Sequence, residues 1–196
     1  MRPKFFFPSL ALALLIAGPA SAHGGAGTVF SFQAGFLHPL GGLDHLLAMF
    51  AVGLLAVQLG GRAIWLVPGA FVTMMIAGAL AGILGLEIPG IELAIAVSIA
   101  AIALPVAFAL GMPAALAMAY VGFFAIFHGY AHGAELPLAA EATPFIAGFA
   151  LATAFIHTAG IGAGLFFGRA SAGQRSFALR LTAGLVVIAG IGVAVV

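Results

Sequence analysis

Long apolar segments separated by short turns set the strongest constraint on what this chain can fold into. An α-helix needs about 20 apolar residues to cross the hydrocarbon core of a bilayer. Six candidate segments of this kind follow one another: 36–59, 62–85, 91–110, 113–132, 144–168 and 177–196. Glycine, proline or charge marks each break between them, as is typical of turns. The pattern predicts an all-α fold, with one integral membrane bundle of six transmembrane helices over 23–196.

The composition is that of a protein whose main solvent is lipid. Of its 196 residues, 64% are hydrophobic and only 6% are charged, whereas a soluble domain carries roughly 25% charged residues. A net charge of +1 offers no basic surface for nucleic acid, and there is no glycine-rich phosphate loop for an ATP-driven motor. The chain has no cysteine, so a metal site must use His, Asp, Glu, Met or backbone oxygen.

The N-terminal segment has the features of a secretory signal. Arg2 and Lys4 precede the short apolar run 10–17, and a small-x-small cleavage pattern follows. These features predict a cleavable signal peptide over 1–22, with an uncleaved anchor helix as the alternative. Cleavage would leave His23 at the mature N-terminus, where its imidazole and the free amine are both candidate metal ligands.

The arginines predict the orientation of the bundle in a bacterial cytoplasmic (inner) membrane. With the cleaved N-terminus outside, the helices alternate in direction, and Arg62, Arg169, Arg175 and Arg180 all fall on the cytoplasmic side. This distribution satisfies the positive-inside rule. Because the number of spans is even, we expect a multi-pass protein with both termini in the periplasm.

Two series of glycines spaced four residues apart predict close approach of helices. Gly78 and Gly82 form one series, and Gly160, Gly164 and Gly168 form the other. Small residues at this spacing let helix backbones touch within lipid. We favour tight packing within one chain, and a homo-oligomer held together by these faces is the alternative.

The sequence from Phe127 to Glu135 brings ionisable groups into an apolar helix. At about 100° per residue, His128, His132 and Glu135 fall on one helical face. Each such group carries a desolvation penalty in lipid, so it is expected to line a cavity or to meet a partner. Three convergent nitrogen and oxygen donors suit a divalent transition metal ion, and the pattern predicts a metal site.

A second polar motif opens the first mature helix. Because His38 precedes proline, we expect helical geometry to begin at Pro39, with His38 at the cap. His38 and His45 would then lie seven residues apart on one face. Asp44, turned about 100° away, suits either the orientation of an imidazole or a ligand role toward another helix. The two glycines between the histidines weaken the helix there.

The predicted topology places these two motifs at the same depth. The first helix runs inward and the fourth runs outward, so both motifs lie near the outer mouth of the bundle. His157 lies near the middle of the fifth helix, where it would continue an inward path of donors. Its alternative role is a hydrogen bond to a backbone carbonyl.

At these residues the chain resembles the HupE/UreJ family of hydrogenase and urease accessory membrane proteins. The family's His-x5-Asp-His motif is matched by His38, Asp44 and His45, and its Phe-His-Gly-x-Ala/Val-His-Gly-x-Glu motif is matched by 127–135. The resemblance covers the whole chain. It implies a permease for nickel, or for cobalt in relatives, that imports the ion for metalloenzyme assembly and uses the motif residues in transport.

We therefore expect a secondary importer or channel for Ni²⁺, with Co²⁺ as the other candidate ion, and no enzymatic activity. The partners are a divalent metal ion and the lipid bilayer, with no nucleic acid and no prosthetic group. One alternative is an integral-membrane zinc-dependent hydrolase of the ceramidase-like type, and another is a haem protein with two axial histidines. The candidate metal ligands are His23, His38, Asp44, His45, His128, His132, Glu135 and His157.

Overall fold

The computed structural model of the chain describes residues 31–136, 142–167 and 172–195. Within these ranges the chain forms seven α-helices and no strand, which confirms the all-α fold class for the described residues. The predicted signal peptide and His23 lie outside them. The helices are α1 Phe32–Gly41, α2 Leu43–Leu59, α3 Ala63–Ile83, α4 Ile91–Ala107, α5 Ala114–Ala134, α6 Ala142–Phe167 and α7 Ala172–Val195.

Several of these helices have the length and composition of membrane spans. In the described part of the chain, α3, α5 and α6 are each long and apolar enough to cross a bilayer, and α1 with α2 adds a fourth if the bent pair counts as one span. Helix α4 and the apolar part of α7, Phe177–Gly192, are shorter. The structure is thus a bundle of membrane type with three clear spans and at most four by this measure.

The first predicted span differs from the prediction in its start and in its shape. The Ser31 hydroxyl accepts a hydrogen bond from the Ala34 amide at 3.1 Å, and this N-cap starts α1 well before the expected Pro39. The expected start was therefore wrong, and His38 lies inside the helix. Gly42 then adopts an extended conformation, so that α1 and α2 meet at an angle of 85°.

Helices α3 and α5 form the most extensive helix pair, because glycines let their backbones touch. The space where Gly129 would carry a Cβ is filled by the carbonyl of Met75, and that of Gly133 is filled by the carbonyl of Ala79. Gly78 on α3 meets the α5 backbone in the same way. The predicted Gly78 series is therefore used for packing within the chain.

The second glycine series packs helix α6 against helix α2. Gly160 lies against the Phe50 carbonyl, and Gly164 lies against the side chain of Val57. Gly168 falls outside the described residues. Helix α6 also packs against α1, since Gly148 lies against the backbone of Phe32. Helices α1 and α2, which are perpendicular to each other, are thus both held by α6.

At the far end of the bundle, side chains bind carbonyl groups in the last turn of α4 and in the connection that follows it. The Gln58 side-chain amide donates to the carbonyls of Pro105 and Leu110, at 3.1 and 2.9 Å. The Arg180 guanidinium donates to the Ala107 carbonyl at 2.9 Å. The bond to Ala107 satisfies a carbonyl that the end of the helix leaves without an intrahelical partner. These bonds tie α2, α4 and α7 together at the end of α2 opposite to His45.

Candidate metal site

Four imidazoles from three helices pack against one another at the other end of α2. We call His38, His45, His128 and His132 the histidine cluster. The ring centre of His132 lies 4.5 Å from that of His38 and 4.6 Å from that of His45, and the rings of His45 and His128 are 4.8 Å apart. The structure therefore brings the histidines of the two sequence motifs together.

Asp44 orients the imidazole of His45. Its Oδ1 lies 3.0 Å from Nδ1 of His45, and the side chain of His45 is only 8% exposed. The carboxylate can approach because residue 42 has no side chain. A Cβ on Gly42 would lie 2.6 Å from Oδ1 of Asp44 and 3.3 Å from Nδ1 of His45. Of the two roles predicted for Asp44, the observed contact is the orienting one.

The Nε2 atoms of His45 and His132 lie 2.6 Å apart and share a hydrogen bond. Since Asp44 can only accept at Nδ1 of His45, a neutral His45 keeps its proton there and accepts through Nε2, and His132 donates. In the described part of the chain no three His, Asp or Glu side chains converge as a ready-made metal cage. An ion that binds both Nε2 atoms must first open their mutual hydrogen bond.

His128 is the deepest member of the histidine cluster and is fully buried. Its Nε2 lies 2.7 Å from the hydroxyl of Ser98 on α4. Its Nδ1 has no hydrogen-bond partner among the described residues. Ser98 was not predicted as a site residue, because a single serine within an apolar helix forms no pattern with its neighbours in sequence.

A single aromatic side chain, that of Phe71, lies between His157 and the histidine cluster. His157 is 1% exposed, and neither of its ring nitrogens has a hydrogen-bond partner in the described residues. The carbonyl hydrogen bond considered as its alternative role is therefore not found there. Its ring stands nearly perpendicular to that of Phe71 at 5.1 Å, and Phe71 lies 6.0 Å from His128.

Glu135 is not brought into the histidine cluster. Helix α5 ends at Ala134, and Glu135 follows as an exposed C-cap residue whose amide bonds back to the His132 carbonyl at 3.3 Å. The one-face spacing with His128 and His132 assumed that the helix continues to this residue. Glu135 instead lies exposed at the end of α5, next to the cluster in sequence.

Phenylalanines of α6 close the histidine cluster from one side. The ring of Phe149 lies 4.6 Å from that of His132, and the ring of Phe145 lies 5.6 Å from that of His38. The free space beside His132 is a cavity of about 10 Å³, close to the volume that admits a single water. A fully hydrated metal ion would not fit without a rearrangement of these side chains.

Comparison with known proteins identifies the family. The family model described as HupE / UreJ protein matches residues 10–194. The chain belongs to the HupE/UreJ family. It is 46% identical over 182 residues to Protein HupE of Rhizobium leguminosarum bv. viciae, which covers 91% of each chain. No solved structure matches the chain. The resemblance inferred from the two motifs is thus confirmed.

HupE/UreJ proteins are an accessory membrane family associated with nickel and cobalt handling for hydrogenase and urease, and they are not a known class of enzyme. The histidines and the glycines of the second HupE/UreJ motif contact different parts of the structure. Its histidines, His128 and His132, belong to the histidine cluster, whereas its glycines, Gly129 and Gly133, face α3. The motif therefore combines donor groups with the helix contact that holds them in place.

Proposed function

We propose that the protein is a secondary importer or channel for Ni²⁺, with Co²⁺ as the other candidate cargo, in the bacterial cytoplasmic membrane. It would supply the ion for metalloenzyme maturation. The observation that carries the proposal is the histidine cluster, in which imidazoles from three apolar helices meet beside a carboxylate. Membership of a family associated with nickel and cobalt supports the same conclusion.

We further propose that the chain crosses the membrane six times. Helix α4 has 17 residues, which at 1.5 Å per residue gives about 25 Å, near the roughly 30 Å of a hydrocarbon core. Helices α1 and α2 together form a single broken span. With the arginines inside, the histidine cluster faces the periplasm, as do both termini, and a signal peptide over 1–22 precedes the bundle.

The inward path begins at the periplasmic rim. Glu135, exposed there, attracts the cation, which loses water as it enters the histidine cluster. The ion replaces the hydrogen bond between His45 and His132, while Asp44 keeps His45 oriented. Imidazole and carboxylate donors without thiolate bind a borderline ion reversibly, as conduction requires.

The path continues past Phe71 to His157. Leaving buried nitrogens without partners costs free energy, and a passing ion gives the nitrogens of His157 a role. The membrane potential favours inward movement of a divalent ion by about 4.6 kcal/mol per 100 mV.

We propose that the path lies within one chain, because a single chain supplies the whole histidine cluster. A homo-oligomer would use faces other than the glycine series buried inside the chain, and His23 would add a donor at the mouth.

Uptake into liposomes tests this proposal. Purified protein in vesicles that contain a metal-sensing dye should admit Ni²⁺ or Co²⁺ faster when the interior is negative. His45→Ala and His132→Ala should each reduce the initial rate at least tenfold. The matched control is Tyr120→Phe, which removes a hydroxyl on α5 that bonds the Ala101 carbonyl and should leave the rate unchanged.

Two results would contradict the proposal. Unchanged flux in both histidine variants would remove the histidine cluster from the path. No entry above empty vesicles, over a range of potentials and proton gradients, would overturn transport itself. Tightly retained zinc together with turnover of an organic substrate would then favour the membrane hydrolase.

A further inference from the structure

A buried serine on α4 contacts the deepest imidazole of the histidine cluster. The Ser98 side chain is fully buried. Its Oγ lies 2.6 Å from the Ile95 carbonyl oxygen and 2.7 Å from Nε2 of His128. A hydroxyl has one proton, and a carbonyl can only accept. The Ser98 hydroxyl therefore donates its hydrogen bond to the Ile95 carbonyl, and Oγ accepts a hydrogen bond from Nε2–H of His128.

This contact decides which nitrogen of His128 is free to bind. With its proton on Nε2, a neutral imidazole has its lone pair on Nδ1. Nδ1 is buried and has no hydrogen-bond partner in the described residues. A buried acceptor without a partner is costly, and a bound cation would remove this cost. Metal-ligating histidines generally donate through their second nitrogen to an acceptor that fixes the tautomer.

We propose that Ser98 is a positioning residue of the transport site, which holds His128 in the Nε2–H tautomer and presents Nδ1 to the divalent cation. This inference rests on the proposed function. Asp44 has the same relation to His45, but it accepts from Nδ1 and leaves the lone pair on Nε2, which accepts a hydrogen bond from His132 until an ion replaces it. The site thus uses one charged and one neutral acceptor to present opposite nitrogens of two neighbouring rings.

The neutrality of Ser98 has a chemical consequence. A carboxylate at this position would add a second negative charge in a fully buried place, where an ion would be held tightly. A hydroxyl orients the ring without adding charge. An ion can then leave His128 for a deeper donor, which transport requires and a fixed metal centre does not.

A competing explanation is that Ser98 only satisfies its own helix. Helix-internal hydroxyls commonly bond a carbonyl of the preceding turn, and Thr182 does so with Ala178 at 2.9 Å. In that case removing the Ser98 hydroxyl would leave the His128 tautomer unchanged. The tautomer is therefore the quantity that separates the two explanations.

The experiment is nitrogen-15 NMR of the metal-free, full-length protein with labelled histidine, in lipid nanodiscs. The His128 resonances, assigned by their loss in His128→Gln, should show the Nε2–H tautomer. Ser98→Ala should abolish this preference, and Ser98→Thr, which keeps the hydroxyl, should retain it. Thr182→Ala is the matched control and should have no effect. Ser98→Cys keeps the volume but accepts weakly, so it gives the same test if Ser98→Ala does not accumulate.

A second measurement connects the tautomer to the ion. Ni²⁺ affinity, measured by calorimetry, should fall roughly 10- to 100-fold in Ser98→Ala, as when other orienting partners of metal ligands are removed. An unchanged His128 tautomer in both Ser98→Ala and Ser98→Cys would overturn the role of Ser98 and leave the proposed function intact. Wild-type protein that neither binds nor admits Ni²⁺ would overturn the proposed function, whatever the tautomer.

Discussion

Replacing Gly42 with alanine should weaken the proposed metal site through a single contact, that between Asp44 and His45. Gly42 has φ −107° and ψ 120°, an extended conformation that any residue adopts. The substitution therefore leaves the backbone at the bend between α1 and α2 unstrained. Its cost arises from the new Cβ, which would lie 2.6 Å from Oδ1 of Asp44.

The size of the effect follows from these distances. An ordinary contact needs at least 3.4 Å, so the carboxylate must move by about 0.8 Å. The bond from Nδ1 of His45 to Oδ1 of Asp44 is 3.0 Å long, and a shift of that size away from the imidazole would carry it past the roughly 3.2 Å limit of a good hydrogen bond. Loss of such an orienting partner lowers metal affinity by roughly 10- to 100-fold. We expect Gly42→Ala to lie in this range.

Calorimetry with Ni²⁺ and the metal-free protein measures the loss, and the neighbouring glycine supplies the control. A Cβ on Gly41 has nothing within 4 Å, so Gly41→Ala should bind normally. In an Asp44→Ala background, Gly42→Ala should add little, because the contact through which it acts is gone. Normal affinity in Gly42→Ala, or an equal loss with and without Asp44, would show that Gly42 does not act through the contact between Asp44 and His45.

Three further predictions concern the orientation, the packing and the path. A cysteine at Glu87 should react with an impermeant thiol reagent from the periplasm and one at Gly111 should not; the reverse pattern would invert the bundle. Gly129→Ala places a Cβ against the backbone of α3 and should destabilise the protein by roughly 1–3 kcal/mol, measured by thermal unfolding in detergent. Gly162→Ala, with nothing within 4 Å, should be neutral, and equal stability of the two variants would contradict this packing. His157→Ala should bind Ni²⁺ nearly normally yet conduct poorly in vesicles, whereas normal flux would remove His157 from the path.

Two of the helices after residue 62 lie within two residues of the predicted segments, because apolar length and glycine or proline breaks are local properties of the sequence. The predicted segment 62–85 corresponds to Ala63–Ile83, and 113–132 corresponds to Ala114–Ala134. The first segment was less accurate. Its start depends on a side-chain cap at Ser31, and its shape depends on the break at Gly42, whose angle is set by the packing of both halves on α6.

The histidines of the candidate site could be predicted, and their surroundings could not. Helical spacing and alternating direction are enough to place His45 and His132 near one another. The exposed position of Glu135 depends on where α5 ends, which the spacing alone does not reveal. Ser98 joins the site only because α4 packs beside α5, and a contact between helices leaves no trace in a single sequence.

The hydrogen bond between His45 and His132 joins positions 87 residues apart, and this separation has a consequence during biosynthesis. A growing chain that ends before α5 carries His38 and His45 but neither of the imidazoles that complete the cluster. Contacts between distant parts of a chain form late in folding. Unfinished or truncated chains would therefore hold metal weakly, so that capture of the ion begins only in a protein whose insertion into the membrane is nearly complete.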